Sequence, residues 1–270
     1  MDNRPIGFFD SGLGGLTSIP HLMKNLPNER IIFFGDTART PYGSKSPETI
    51  RQFTMQIGEF LVKQNVKMIV IACNTISATC LTELREKYPH IPVVGVISPT
   101  ARVVANSCSE EDKVGIIATK VTVESKAYEN KIREKNPNIN TASKACPAFV
   151  PLIEEGIIDN EIMDLTIKYY LDDFIEKEKI NTLVLGCTHY PLIGENLGKL
   201  YPDIKIINSS KEVVDAIKIE LDKRDGFAEE NDLENRFFAS DLSENFVMMI
   251  KKILGKEEVS LNIHFKNLDI

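Results

Sequence analysis

The sequence predicts an α/β fold of two pseudo-symmetric domains, each a mainly parallel sheet flanked by helices, with a site in the cleft between them. Three observations lead there. Short β-branched or apolar runs alternate with longer amphipathic stretches from residue 6 to residue 207. The runs are apolar on both faces, as strands covered by helices on each side are. The order of runs also repeats: those beginning at 6 and 31 precede one that stops at Cys73, and those beginning at 113 and 140 precede one that stops at Cys187.

The first strand, 6–9, runs into the glycine-rich turn DSGLGG at 10–15. Pro20 fits a helix only in its first turn, so Thr17 or Ser18 is expected to cap the first helix. Strands follow at 31–35, 67–72 and 92–97. Before the last of these, Ile76, Leu81, Leu84 and Tyr88 recur at near-helical spacing and Pro89 stops the element, which predicts a helix over 76–88. The second half carries strands at 113–118, 140–145, 182–186 and 203–207. Between them a helix is expected over 161–178, with Ile162, Leu165, Tyr169, Asp172 and Ile175 on a mostly apolar face. From about 208 the chain reads as mostly helical. A charged stretch at 222–236 is expected to be solvated surface, and SDLSENFVMMIKKIL at 240–254 to form a capped terminal helix. No low-complexity linker divides the halves.

Composition narrows the function classes. The 270 residues are 43% hydrophobic and 26% charged, an ordinary globular balance. No apolar run approaches the length of a membrane span, and MDNRPIGFFDSG lacks a signal-peptide layout, so a cytoplasmic location is expected. Five cysteines, an odd number, suit free thiols in a reducing compartment. A net charge of −7 argues against a nucleic-acid partner, and any anion site must therefore work through local donors.

Ligands of open α/β sheets bind beyond the carboxyl ends of the strands. Standing there are Asp10 and Ser11, Asp36, Cys73 with Asn74 and Thr75, Thr119, and Cys187 with Thr188 and His189. Asn74 and Thr188 taken singly read as helix caps, and Cys80, Cys108 and Cys146 as small inert hydrophobes. Cys73 and Cys187 differ, because each falls at a strand-to-helix junction. A helix N-terminus can lower a thiol pKa from about 8.5 towards neutrality.

Other chemistries fit less well. The turn at 10–15 suggests dinucleotide binding, with Asp36 as the ribose acid. However, Thr17 replaces the third glycine of the fingerprint, and Asp10 at the mouth would repel a pyrophosphate while suiting an ammonium group. Four histidines and no C-x-x-C give no structural metal set, so no metal is expected. Cys73 and Cys80 lie about 10 Å apart along a helix, too far for a disulfide. A cysteine hydrolase built on Cys187 and His189 would leave Cys73 unexplained.

Two thiols from two similar halves suit proton transfer at a stereocentre. One base removes a proton, the carbon flattens, and an acid on the opposite face returns one. The reverse reaction exchanges the roles, so both groups should be of one kind, and a thiol/thiolate pair suffices. The α-proton of an amino acid is a poor acid, so fixed donors must stabilise the developing charge; Asn74, Thr75, Thr119 and Thr188 are suitable.

The motifs GFFDSGLGGLT near the start, FFGDTARTPYG at 33–43, IACNTISA at 71–78, ATKVTVESKAY at 118–128 and LGCTHYPL at 185–192 carry a resemblance over nearly the whole chain. The sequence resembles glutamate racemases, of the cofactor-independent aspartate/glutamate racemase superfamily. The resemblance implies interconversion of L- and D-glutamate in the cytoplasm, D-glutamate for peptidoglycan, and commonly a homodimer. It implies a first domain of 1–98 and 208–270, the tail returning to it, and a second of 99–207. Cys73 resembles the base for the D substrate and Cys187 the base for the L substrate, with Asp10 and His189 as their helpers. Ser11, Tyr42, Gly43, Asn74, Thr75 and Thr188 match substrate-holding positions, with Thr119 and Thr122 beside them. Glu154 matches an acid near His189, with Glu155 adjacent. Ala118 stands where a glycine is usual. An aspartate racemase of the same superfamily and a non-catalytic Rossmann-type binding module are the alternatives; the intact CNT and CTH triplets favour glutamate.

Overall fold

Two all-parallel sheets organise the chain. In the computed structural model, which describes residues 1–229, 234–255 and 263–268, the first half runs β1 (Ile6–Asp10), α1 (Ile19–Asn25), β2 (Ile31–Gly35), α2 (Pro47–Lys63), β3 (Met68–Ile71), α3 (Asn74–Thr79), α4 (Leu81–Lys87), β4 (Val93–Gly95) and α5 (Ile97–Ser107). The second runs β5 (Lys113–Ala118), α6 (Lys120–Ser125), α7 (Ala127–Lys135), β6 (Asn140–Ala145), α8 (Phe149–Glu154), α9 (Glu161–Glu178), β7 (Thr182–Gly186), α10 (Gly194–Leu200) and β8 (Lys205–Asn208). The tail adds α11 (Ser209–Lys223), β9 (Arg236–Ala239), α12 (Glu244–Leu254) and β10 (Ile263–Phe265).

The sheet orders are β10-β9-β2-β1-β3-β4 and β6-β5-β7-β8. Without the two tail strands the first order reduces to β2-β1-β3-β4, which matches the second strand for strand. The repeat read from spacing is therefore a repeat of topology: β3, which leads to Cys73, and β7, which leads to Cys187, occupy equivalent places. All eight strands expected in the two halves are present, shifted by no more than two residues at either end.

Alternation along β1 to β3 fills both faces of the first sheet. Ile6, Phe8, Ile31, Phe33, Met68 and Val70 face a core that continues into the second half, while Phe9, Ile32, Phe34, Ile69 and Ile71 pack on the opposite side with Ile57, Leu61, Ile76 and Leu84. Burial on both faces is why these strands read as unbroken apolar runs.

The structure corrects or refines four expectations. The helix over 76–88 is two helices, α3 and α4, joined at Cys80, whose φ of −123° and ψ of 0° are not helical. Thr79 Oγ1 donates back to Thr75 O at 2.9 Å, a contact that bends helices. On α9 the inward face carries Met163, Ile167 and Leu171, whereas Ile162, Leu165 and Tyr169 are exposed. The tail carries two strands beside its helices α11 and α12: β9 pairs with β2 and β10 with β9, extending the first sheet. Of the stretch 222–236, residues 230–233 lie outside the described residues, and Arg236 opens β9. Finally, Ser18 is the N-cap of α1 with Pro20 in the first turn, but its hydroxyl makes no capping bond. Thr17 instead meets Gly14 O at 2.7 Å and Ser210 Oγ at 2.8 Å.

Candidate active site

Two strand-to-helix junctions face one another across the boundary between the sheets. On the first side β1 ends at Asp10, which is fully buried. Its Oδ2 accepts from the Gly12 amide at 3.2 Å, and its Oδ1 accepts from the Thr188 hydroxyl of the other side at 3.4 Å. Ser11 follows, and its Oγ accepts from the Cys73 thiol at 3.4 Å. Cys73 is the N-cap of α3, so Asn74 and Thr75 form that helix's first turn; all three are buried.

On the second side β7 ends at Gly186 and delivers Cys187, Thr188 and His189, all buried. Cys187 Sγ lies 3.9 Å from His189 Nδ1, and the other ring nitrogen, Nε2, meets Glu154 Oε1 at 2.9 Å. Glu154 closes α8 and also accepts from the Thr40 hydroxyl of the first half at 3.3 Å. Glu155 beside it is exposed, so of the two adjacent acids Glu154 is the one that reaches His189. Thr119, the N-cap of α6, completes a triangle of buried hydroxyls: Thr75 to Thr119 at 2.9 Å, Thr119 to Thr122 at 3.0 Å and Thr75 to Thr122 at 3.4 Å.

The two sides close tightly. A β-carbon on Gly14 would run into Thr188 Oγ1 and would lie 2.6 Å from His189 Nδ1, and one on Gly43 would lie 2.5 Å from Thr119 Cβ. Only glycine permits that approach. Ala118, which stands where a glycine is usual among the proteins the sequence resembles, is buried and packs beside Gly186.

The two thiols do not share one electrostatic setting. Burial, and then the Asp10 carboxylate, push the Cys73 thiol up, outweighing the Ser11 hydroxyl and the α3 backbone. The helix N-terminus alone therefore does not make Cys73 acidic, contrary to the expectation from its position. Burial would lower the affinity of His189 for a proton, but Cys187 and Glu154, one at each ring nitrogen, together raise its pKa well above the usual range. An imidazole whose proton affinity is raised thus stands beside Cys187, whereas a carboxylate stands beside Cys73. The charge of Cys187 adds to the rise at Cys73.

Most of the residues singled out in the sequence converge here: Asp10, Ser11, Cys73, Asn74, Thr75, Thr119, Thr122, Glu154, Cys187, Thr188 and His189. Gly43 reaches the crevice through its backbone. The Tyr42 side chain does not; it is fully buried, packs on Phe53 and donates its hydroxyl to Asp36. Asp36 also accepts from Arg39 Nε at 2.7 Å and Ser240 Oγ at 2.7 Å, so its carboxylate is engaged in securing the 37–44 loop. Thr40 and Tyr128 contact site residues and were not singled out. Neither stands at a strand end, and only folding brings them near. Among the described residues no group of three or more His, Cys, Asp or Glu side chains is arranged to hold a metal.

The sequence profile of the Asp/Glu/Hydantoin racemase family matches residues 19–219. Glutamate racemase of Geobacter metallireducens is 42% identical over 260 residues, covering 94% of each chain. The crystal structure of glutamate racemase from Francisella tularensis in complex with D-glutamate superposes with a TM-score of 0.92 at 42% identity, over 100% of this chain and 99% of that one. A glutamate racemase isoform from Bacillus anthracis gives a TM-score of 0.93 at 33% identity over 100% of both chains.

Proposed function

The chain belongs to the Asp/Glu/Hydantoin racemase family, and from that premise we propose that it is a glutamate racemase that moves the α-proton between Cys73 and Cys187 without pyridoxal or metal. The observation that carries the reading is the pair of buried thiols at the ends of equivalent strands, each with its own polar helper.

The substrate lies between the two sulfurs. Asp10 and Ser11 hold its ammonium group. Asn74, Thr75, Thr119, Thr122 and Thr188 meet its carboxylates, with the backbone amides of Tyr42 and Gly43, which open a one-turn 3-10 helix and have no intrahelical partner. In the L-to-D direction Cys187, as thiolate beside cationic His189, takes the α-proton. The carbon flattens and its charge spreads into the α-carboxylate, where the fixed donors stabilise it. The Cys73 thiol then delivers its proton to the opposite face. The sulfurs have exchanged states, and Asp10 and His189 return the protons. Glu154 holds the imidazole charged and oriented. A thiol held up beside the Asp10 carboxylate at Cys73, and an imidazole of raised proton affinity beside Cys187, support these roles in the L-to-D direction.

Residues 1–98 with 208–270 form one domain and 99–207 the other. The enzyme works in the cytoplasm as a homodimer, supplying D-glutamate for peptidoglycan. No helix among the described residues is long and apolar enough to cross a membrane.

Circular dichroism of L- and D-glutamate with enzyme alone tests the activity. Decay of both signals to zero is expected. A flat trace with glutamate but decay with aspartate would reassign the substrate, and flat traces with both would leave a binding module. In D₂O the product enantiomer should gain deuterium much faster than the starting one. Label entering the starting enantiomer before inversion would mean a single shared base.

A further inference from the structure

Tyr128 belongs to no set of site residues above, yet it touches both halves of the crevice. It sits in the first turn of α7 and is 1% exposed. Its ring packs beneath Gly186, the residue before Cys187: a β-carbon on Gly186 would stand 3.1 Å from Tyr128 Cε2. From there its hydroxyl reaches across to the first half and donates to Asn74 Oδ1 at 2.6 Å. That separation is typical of O–H···O and short for N–H···O, so the carbonyl end of the amide faces the phenol. The other end, Asn74 Nδ2, is buried and has no hydrogen-bond partner among the described residues. A buried donor left unmet is costly, and native interiors rarely keep one without a use.

We propose that Tyr128 is a positioning residue whose hydroxyl locks the Asn74 amide with its NH₂ turned into the crevice, so that a substrate carboxylate meets a donor already aimed. The inference rests on the racemase reading for its substrate, and it deepens that reading. A free amide could rotate and present its carbonyl to the carboxylate, replacing attraction with repulsion. The lock also forms only with the halves closed, because phenol and amide belong to opposite sides. Tyr128 therefore links support of the Cys187 loop to orientation of the donor beside Cys73.

Tyr128→Phe removes the hydroxyl and keeps the ring beneath Gly186. Loss of one such hydrogen bond is expected to raise KM for both glutamate enantiomers about tenfold, with a much smaller change in kcat. Asn74→Ala removes the donor itself, so adding Tyr128→Phe to it should change KM no further. Unchanged KM in Tyr128→Phe, or KM effects that multiply in the double variant, would overturn the proposal. A purely structural phenol would lower Tm and leave KM alone. A readout free of catalysis is the side-chain amide pair of Asn74 in ¹⁵N-labelled protein without substrate. One sharp pair is expected in the wild type, and a doubled or exchange-broadened pair in Tyr128→Phe. An identical pair in both proteins overturns the lock. Failure of the wild type to racemise glutamate would instead remove the substrate reading, while the amide signals still decide what Tyr128 does.

Discussion

Gly43→Ala should wedge the crevice open. The added β-carbon would lie 2.5 Å from Thr119 Cβ and 2.7 Å from its Cγ2. Non-bonded carbons settle at about 3.5–4.0 Å, so the two must part by about 1 Å. Neither is the loose end of a flexible side chain. Thr119 caps α6, and its hydroxyl sits in the Thr75–Thr122 triangle, which ties it to both halves. The strain is therefore relieved by separating the halves, which also stretches the 2.9 Å Thr75–Thr119 contact. Overpacking of this kind costs about 1–3 kcal/mol. If the closed state alone bears it, kcat/KM falls about 5- to 150-fold, while each half keeps its core and Tm changes little. Initial rates by circular dichroism, taken from L- and from D-glutamate, measure it. The two enantiomers are equally stable in water, so kcat/KM must fall by the same factor in both directions. Wild-type kcat/KM in the Gly43→Ala enzyme would refute the closed crevice as the reacting form.

Three further outcomes are expected. Cys73→Ala and Cys187→Ala should each abolish racemisation while costing only about 1 kcal/mol of stability, because one buried sulfur atom is removed from a site that tolerates a small residue; residual turnover in either variant near the wild-type rate would end the two-base scheme. The carboxylate of Glu154 raises the pKa of His189, whose charge is kept below that pKa and lost as pH rises through it. Glu154→Gln should therefore move the alkaline limb of kcat/KM to lower pH, and a limb that stays in place would show that His189 is not the group titrating. At the other end of the first sheet, Lys67 Nζ meets Glu29 at 2.6 Å, with side chains 3% and 2% exposed, and donates to the Asp2 and Gly226 carbonyls. Lys67→Met leaves a buried carboxylate unpaired and should cost about 3–5 kcal/mol in urea unfolding, with kcat/KM of the folded enzyme unchanged.

Stability should also depend on pH through Cys73. Its thiol ionises above the usual range in the folded chain, so the unfolded chain releases that proton first. The contribution is whole below about pH 8.5 and is lost as pH climbs towards the folded value, by at most about 1.4 kcal/mol per pH unit. Urea midpoints across pH 7 to 10 should fall less steeply in Cys73→Ala than in the wild type; parallel slopes would contradict a buried neutral thiol.

The strands were legible because doubly buried strands must be apolar at every position, and that pattern is local. The two thiols were legible because strand ends are where such folds place their sites, and two matched ends call for a matched chemistry. The short tail strands were not: RFFA and IHF, of four and three residues, become strands only by lying beside β2 and each other.

By itself the chain's residue pattern determined the alternation of strand and helix, the twofold plan and the residues that crowd the strand ends. Folding decided what depends on distant partners. The inner face of α9 differs from the expected one because its apolar residues lie on more than one side, and neighbours choose among them. Tyr42 and Tyr128 are both buried tyrosines, yet one turns to Asp36 and the other to Asn74. The two cysteines, matched in sequence, are made unequal by Asp10 on one side and by His189, held by Glu154, on the other. Proton affinity is set by burial and by the charges within a few ångströms, and those belong to the assembled crevice, not to any stretch of chain.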